Sequence, residues 1–126
     1  MKPFPLLLSA IGMFSLPAVA AAQDAGFALT YHVERIPAAQ FSIDTCGSVV
    51  SDAAQQAGLS VDLKSFPDQL VTVHGGASGT GAYVVQCIAV GDTTVAVVQG
   101  FDYRETKGTM GEFADQAIAA VKEAAK

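Results

Sequence analysis

Hydrophobic and polar residues alternate along residues 27–34. Side chains that point one way are those of Phe27, Leu29, Tyr31 and Val33, and those that point the other way belong to Ala28, Thr30, His32 and Glu34. A period of two is typical of a β-strand with one face against the interior, so this segment predicts a half-buried strand. Pro37 is expected to end or bend the strand, because proline lacks the N–H that a sheet ladder needs.

Residues 45–57 repeat their apolar side chains at helical spacing and predict an amphipathic helix, whose apolar stripe is Cys46, Val49, Val50, Ala53 and Ala57. Asp44 or Thr45 is expected to cap the first turn, and Gly58 is expected to stop the helix. Residues 109–125 predict a second amphipathic helix. Thr109 and Glu112 have the spacing of a capping box at its start.

Three further segments have strand character. Residues 60–74 fit a short edge strand followed by a longer piece, and residues 75–81 form a glycine-rich connection. Residues 82–90 and 93–101 are the clearest strands, and Gly91-Asp92 between them suits a type II′ turn, which makes a tight hairpin. The element order is strand, helix, strand, strand, strand, helix. It predicts a two-layer α+β sandwich with a mainly antiparallel four-stranded sheet and two helices on one face.

The N-terminal segment has the features of a secretory signal. Lys2 supplies a positive start, residues 6–16 form an apolar run, and small residues precede the expected cleavage after Ala22, with Ala20 as the competing site. The division is therefore a signal peptide over residues 1–22 and a single domain over residues 23–126. The apolar run is short for a permanent anchor, which is the alternative. Export to a periplasm is expected, with full secretion as the second choice.

Cys46 and Cys87 are the only cysteines of the chain. An even count in a small exported domain indicates a disulfide, and closing a loop of this size contributes about 4 kcal/mol in the chain-entropy model. A redox pair is the alternative, although the two residues lack the Cys-x-x-Cys spacing, and free or metal-bound thiols are a further one.

The hairpin register predicts which side of the sheet is covered. With Gly91 and Asp92 in the turn, Cys87 lies opposite Ala96, and a bond to Cys46 would place that face under the helices. The opposite face then carries Val84, Gln86, Ile88, Val90, Val95, Val97, Gln99 and Phe101, with no charge among them. A second copy of the chain or another periplasmic protein is the expected cover. Coverage by a loop or by residues 60–70 is the alternative.

Composition excludes several classes of function. Hydrophobic residues make up 51% and charged residues 15% of the chain, which argues against disorder. The formal net charge is −5, and this acidic balance lacks the basic surface that nucleic-acid binding requires. No nucleic-acid partner, no membrane contact after signal cleavage and no cofactor is therefore expected.

Catalytic or metal-binding groups are sparse. His32, Glu34 and His74 are the candidates for a weak copper or zinc site, or for a small hydrolytic or metal-dependent enzyme. Solvated strand residues are the alternative interpretation of these three. The stretch from His74 to Gly81 is rich in glycine but lacks the lysine of a phosphate-binding loop. It could instead be a flexible segment that an enzyme inhibitor presents to a cleft.

The layout of signal peptide, α+β domain of about a hundred residues and one disulfide resembles small uncharacterised exported proteins of Gram-negative bacteria. This resemblance implies a compartment and a size, and no activity. The sequence therefore favours a non-enzymatic binding or protein-interaction module that is stabilised by a disulfide and forms a homodimer through its apolar sheet face.

Overall fold

The computed structural model of the protein describes residues 26–126, and the predicted signal peptide and its cleavage site lie outside them. The described chain forms an antiparallel sheet of five strands in the order β1-β5-β4-β3-β2. Its elements are β1 (Ala28–Pro37), α1 (Ile43–Gln56), β2 (Asp62–Phe66), β3 (Leu70–Ala77), β4 (Gly81–Val90), β5 (Thr93–Asp102) and α2 (Thr109–Ala124). The α+β class is confirmed, and Pro37 does end the first strand.

The predicted count of four strands is wrong. The short edge strand and the longer piece expected over residues 60–74 are two separate strands, β2 and β3, which the predicted element order counted as one. A tight turn separates β2 from β3, and Asp68 within it adopts a φ of +63°. The N–H of Gln69 donates to the carbonyl of Phe66 at 2.9 Å and closes the turn. The two strands consequently pair with each other, from Phe66 opposite Leu70 to Asp62 opposite His74.

The glycine-rich stretch is mostly strand and not a connection. β3 continues through Gly75 and Gly76 to Ala77, so only residues 78–80 form the turn into β4. A Cβ atom on Gly75 would lie 1.9 Å from the carbonyl oxygen of Ser60. Glycine is therefore required here because another part of the backbone approaches closely, and not because the segment bends.

The β4–β5 hairpin has the predicted register. Cys87 lies opposite Ala96, and Val85 opposite Val98. Gly91 has a φ of +57° while Asp92 keeps a negative φ, as a type II′ turn requires.

Both helices pack on one face of the sheet, and the core lies between the two layers. The predicted Cys46–Cys87 disulfide is present, with the two Cα atoms 6.1 Å apart, and it ties α1 to β4. Under α2, the rings of Tyr83 and Phe113 are in tilted contact, with centroids 4.8 Å apart. The Tyr83 hydroxyl donates to the carbonyl of Ser60 at 2.8 Å.

The N-cap of α1 differs from the prediction. Ser42, and not Asp44 or Thr45, is the N-cap, and its hydroxyl accepts from the Thr45 N–H at 3.0 Å. The helix therefore begins two residues earlier than predicted. Gly58, with a φ of +76°, follows the helix as expected.

The start of α2 is capped by a distant residue. The predicted capping box does not form, since the N-cap is Gly108 and has no side chain. Asp102, at the end of β5 and fully buried, accepts from the N–H groups of Gly108, Met110 and Gly111 at 2.8, 2.9 and 2.9 Å. Burial raises the pKa of Asp102, but these hydrogen bonds, aided by the charge of Arg104, outweigh it and hold the pKa below its ordinary value.

Candidate functional site

The sheet face opposite the helices is the main candidate surface. On β5, and on β4 as far as Ile88, side chains that point to the helices are buried and those that point away are half-buried. Of the eight residues that the sequence assigned to the outer face, Val90 is exposed and seven are half-buried: Val84, Gln86, Ile88, Val95, Val97, Gln99 and Phe101. No helix of the described chain lies over them. Residues 60–70 do not cover them either, because β2 extends the sheet at its edge.

β1 enlarges this face in a way that the sequence did not predict. The apolar row of the strand is the exposed one, with Leu29, Tyr31 and Val33 at 45, 64 and 47% exposure. The smaller and polar side chains at even positions from 28 to 34 face α2 instead. The helix approaches so closely that a Cβ atom on Gly111 would lie 2.5 Å from the Thr30 hydroxyl oxygen, so the larger apolar side chains would not fit there.

We call the surface formed by the outward side chains of the five strands the open face. Its central rows run across the paired strands. Val33 lies beside Val97, and Tyr31 lies beside Gln99. The outward-facing side chains of β4 and β5 include no charged residue. Charges lie at the perimeter, where β1 contributes Arg35 and β2 contributes Asp62 and Lys64.

His32 belongs to a polar cluster on the helix side of β1. Its Nε2 lies 2.8 Å from Oδ1 of Asp115, and the other carboxylate oxygen of Asp115 accepts from Lys107. The hydrogen bonds from Lys107 and then from His32 lower the pKa of Asp115. Glu34, farther along β1, has its carboxylate 3.9 Å from Nζ of Lys122. Both contacts join the polar side of β1 to α2.

The three residues of the candidate metal or catalytic site do not come together. His32 and Glu34 face α2, whereas His74 lies opposite Val84 on the open face, with β4 and β5 between β3 and β1. The partner of His74 is Asp62, whose Oδ2 is 3.4 Å from its Nε2. Within residues 26–126, no group of three His, Cys, Asp or Glu side chains could hold a metal ion. The sheet register is the reason, since it assigns the two histidines to opposite faces.

A cleft of about 240 Å³ lies between the end of β1 and the C-terminal turn of α2. Glu34, Arg35, Gln40 and Lys122 contribute to its lining, and neither histidine does. Gln40 donates a hydrogen bond to the carbonyl of Ala125 and joins the loop after β1 to the end of the helix. Two of the contacts in this cleft, Gln40 with Ala125 and Glu34 with Lys122, thus tie β1 and the loop after it to α2.

Sequence reasoning missed the contribution of β1 to the open face, and the Asp115 and Lys107 partners of His32. The alternation in residues 27–34 was visible, but it does not say which side of a strand faces the core. The helical spacing of residues 111, 115, 118 and 122 gives a partial signal, because it places Asp115 and Lys122 on one side of α2.

Among the described residues, no helix has both the length and the apolar character that crossing a bilayer requires. No curated protein matches the chain. A solved structure, that of CalU16 from Micromonospora echinospora, is similar at 12% sequence identity and a TM-score of 0.43, over 79% of this chain and 85% of that one. A family model, described as a family of unknown function, DUF6180, matches residues 26–126. The protein therefore belongs to the DUF6180 family.

Proposed function

We propose that this protein is an exported, non-enzymatic interaction module that binds a second copy of itself through the open face. The observation that carries the proposal is the row of exposed apolar side chains on β1 beside the charge-free outer side of β4 and β5. An antiparallel sheet that faces water on one side usually shows polar residues there. A contiguous apolar patch on a folded protein instead marks a contact surface.

The size of the open face supports a protein partner. Neighbouring strands lie about 4.8 Å apart and each residue adds about 3.4 Å of length, so the five strands together form a face with an area on the order of 600–700 Å². A standard interface buries about 800 Å² on each partner, so the open face approaches what a stable complex needs.

The distribution of charge supports a second copy as the occupant. A symmetric dimer needs a single self-complementary patch, and the apolar centre of the open face meets this condition. Arg35, Asp62 and Lys64 at its perimeter provide both signs of charge. Two copies can therefore meet without placing a net like charge at the centre of the contact, although the whole chain is acidic.

Export is the second part of the proposal. It rests on the signal-like residues 1–22 and on the disulfide, which persists in oxidising compartments. Intact-mass spectrometry of protein recovered from a periplasmic extract is expected to give a chain that begins at Gln23. Its mass should be lower than that of the dithiol form by the two hydrogen atoms lost in forming the disulfide. A full-length or fully reduced chain in that fraction would contradict export with crosslinking.

Val97→Glu tests the open face. Val97 lies near the middle of β5, between Val33 and Gln86, so a carboxylate there would have to be desolvated in a face-to-face complex. Light scattering after size exclusion should show a wild-type oligomer and a mass at least about twofold lower for the variant.

Tyr103→Glu is the matched control, because Tyr103 is 57% exposed and lies beyond the end of β5. It should keep the wild-type mass. Circular dichroism and a thermal melt establish that both variants fold. Equal masses for the wild type and folded Val97→Glu would overturn the proposed contact.

A further inference from the structure

The two edges of the sheet differ in how they are protected. β2 is short, all five of its residues are exposed, and its outward side carries Asp62 and Lys64. Short length and charge are common means of preventing one sheet edge from pairing with another. β1, at the opposite edge, has ten residues, and its pairing with β5 is continuous from Ala28 to Pro37 without a bulge. On the open face, β1 carries no charged side chain before Arg35. The charged residues of β1, Glu34 and Arg35, and its proline all lie in its last four residues, so residues 28–33 lack the protection that β2 has.

We propose that the outer edge of β1 pairs antiparallel with the same edge of a second copy, with Val33 of both copies on the two-fold axis, so that the sheet continues across the pair. Such pairing satisfies the outward backbone N–H and carbonyl groups of the strand. It also joins the exposed apolar rows of the two β1 strands into one surface. This contact is separate from the open-face contact, which lies on the broad side of the sheet.

The residue that His32 meets in the second copy decides the register. Two antiparallel registers keep nearly the whole of β1 paired and keep each side chain on its proper face. One places His32 opposite His32 of the second copy, which sets two like groups against each other. The other places Val33 opposite Val33 and His32 opposite Glu34 of the second copy. Opposed unlike charges stabilise a strand pair, and like charges destabilise it.

The favoured register also suits the open face. There it places Arg35 opposite Tyr31 of the second copy, where a guanidinium can lie over an aromatic ring. On the helix side, Nε2 of His32 already contacts the Asp115 carboxylate, so Nδ1 faces Glu34 of the second copy and donates to it when the ring carries both protons. The residues that meet across the two-fold axis are thus complementary on both faces of the strand.

Val33→Cys is the direct test. Opposed residues of an antiparallel pair have Cβ atoms about 4.5–5.5 Å apart, close to the separation that a disulfide bridges. Leu29→Cys is the matched control, because Leu29 shares the face, the strand and nearly the same exposure, 45% against 47%. In the proposed register Leu29 lies opposite Pro37 of the second copy, far from Leu29 of that copy. Cys46 and Cys87 are fully buried and bonded to each other, so they do not compete for the added thiol.

Both cysteine variants are made in the Val97→Glu chain, which removes the open-face contact. Under mild oxidation, Val33→Cys should form covalent dimers on a non-reducing gel about tenfold faster than Leu29→Cys, because only Val33 lies opposite itself. Adding Glu34→Lys should slow this crosslinking, since it places a cation opposite His32. Equal rates for the two cysteines, or faster crosslinking of a Tyr31→Cys variant, would overturn the proposed register.

The outcomes also separate this contact from the open-face contact. Crosslinking that persists with Val97→Glu belongs to the β1 edge. Val33→Cys crosslinking that occurs in the wild-type background and vanishes with Val97→Glu would refute the edge contact and support the open face. If the mass is unaffected by Val97→Glu while Val33→Cys crosslinks in both backgrounds, the open-face proposal fails and the edge contact stands.

Discussion

Replacing Asp102 with alanine is expected to destabilise the protein by about 3 kcal/mol or more, because a hydrogen bond to a charged group contributes about 1.5–3 kcal/mol and this carboxylate accepts several. The N–H groups of Gly108, Met110 and Gly111 would then be buried without a hydrogen-bond acceptor. The free energy of unfolding, measured by urea denaturation with circular dichroism, checks this value.

Asp102→Asn serves as the graded control. An amide of the same shape keeps one oxygen acceptor, but its NH₂ group faces N–H donors where the carboxylate accepted. Its loss of stability should lie between those of the wild type and Asp102→Ala. A loss below about 1 kcal/mol in the alanine variant would mean that water or a shifted loop replaces the cap.

The same carboxylate makes stability depend on pH. Its pKa in the folded protein lies below the ordinary aspartate value. The unfolded state therefore binds a proton more readily, and the contribution of Asp102 is fully present above the unfolded pKa of about 3.9. It is lost as the pH falls through the lower, folded pKa. The difference in unfolding free energy between the wild type and Asp102→Asn should consequently shrink in acid and stay constant above about pH 5.

Removing the disulfide is the second large effect. A Cys46→Ala/Cys87→Ala variant is expected to lose about 4 kcal/mol, since the bond closes a loop of 41 residues and the loss of such a constraint favours the unfolded chain. This is a large fraction of the 5–15 kcal/mol that holds a typical domain folded. Urea denaturation measures this loss of stability from the shift of the midpoint, with the dependence of the unfolding free energy on urea concentration determined separately for each protein.

Reduced wild-type protein is the control for the substitutions. It keeps both sulfur atoms in the core, so the difference between reduced wild type and the double variant isolates the loss of buried volume. Because Cys46 and Cys87 are fully buried, reduction requires unfolding in the presence of a reductant before refolding. A reduced protein as stable as the oxidised one would show that packing alone positions α1 on β4.

Local patterns predicted the parts of the fold that depend on local interactions. Gly91 and Asp92 determine a two-residue turn. This turn sets which residues of β4 and β5 lie opposite each other, and therefore the face of the sheet on which Cys87 lies. The helical segments were found from their apolar spacing. The hairpin register in turn predicts which side chains of β4 and β5 point away from the helices, and none of these is charged.

Contacts between distant residues account for what the sequence did not reveal. Asp102 caps α2 from the end of a strand, so the local Thr109–Glu112 spacing gave the wrong cap. Gly75 is a strand residue that must be glycine because the Ser60 backbone approaches it closely. A glycine in a loop looks the same in the sequence. The apolar row of β1 is exposed because α2 lies too close to admit it on the other side.

The buried Tyr83 has a practical consequence for spectroscopy. The chain contains no tryptophan and three tyrosines, of which Tyr31 and Tyr103 are well exposed. Burial raises the pKa of Tyr83 to about 12, and its hydroxyl is held by the Ser60 carbonyl beneath α2. In the absence of tryptophan, the tyrosine rings dominate the near-ultraviolet emission of the protein. One of these three rings, that of Tyr83, reports on the packing of the helices against the sheet without an introduced label.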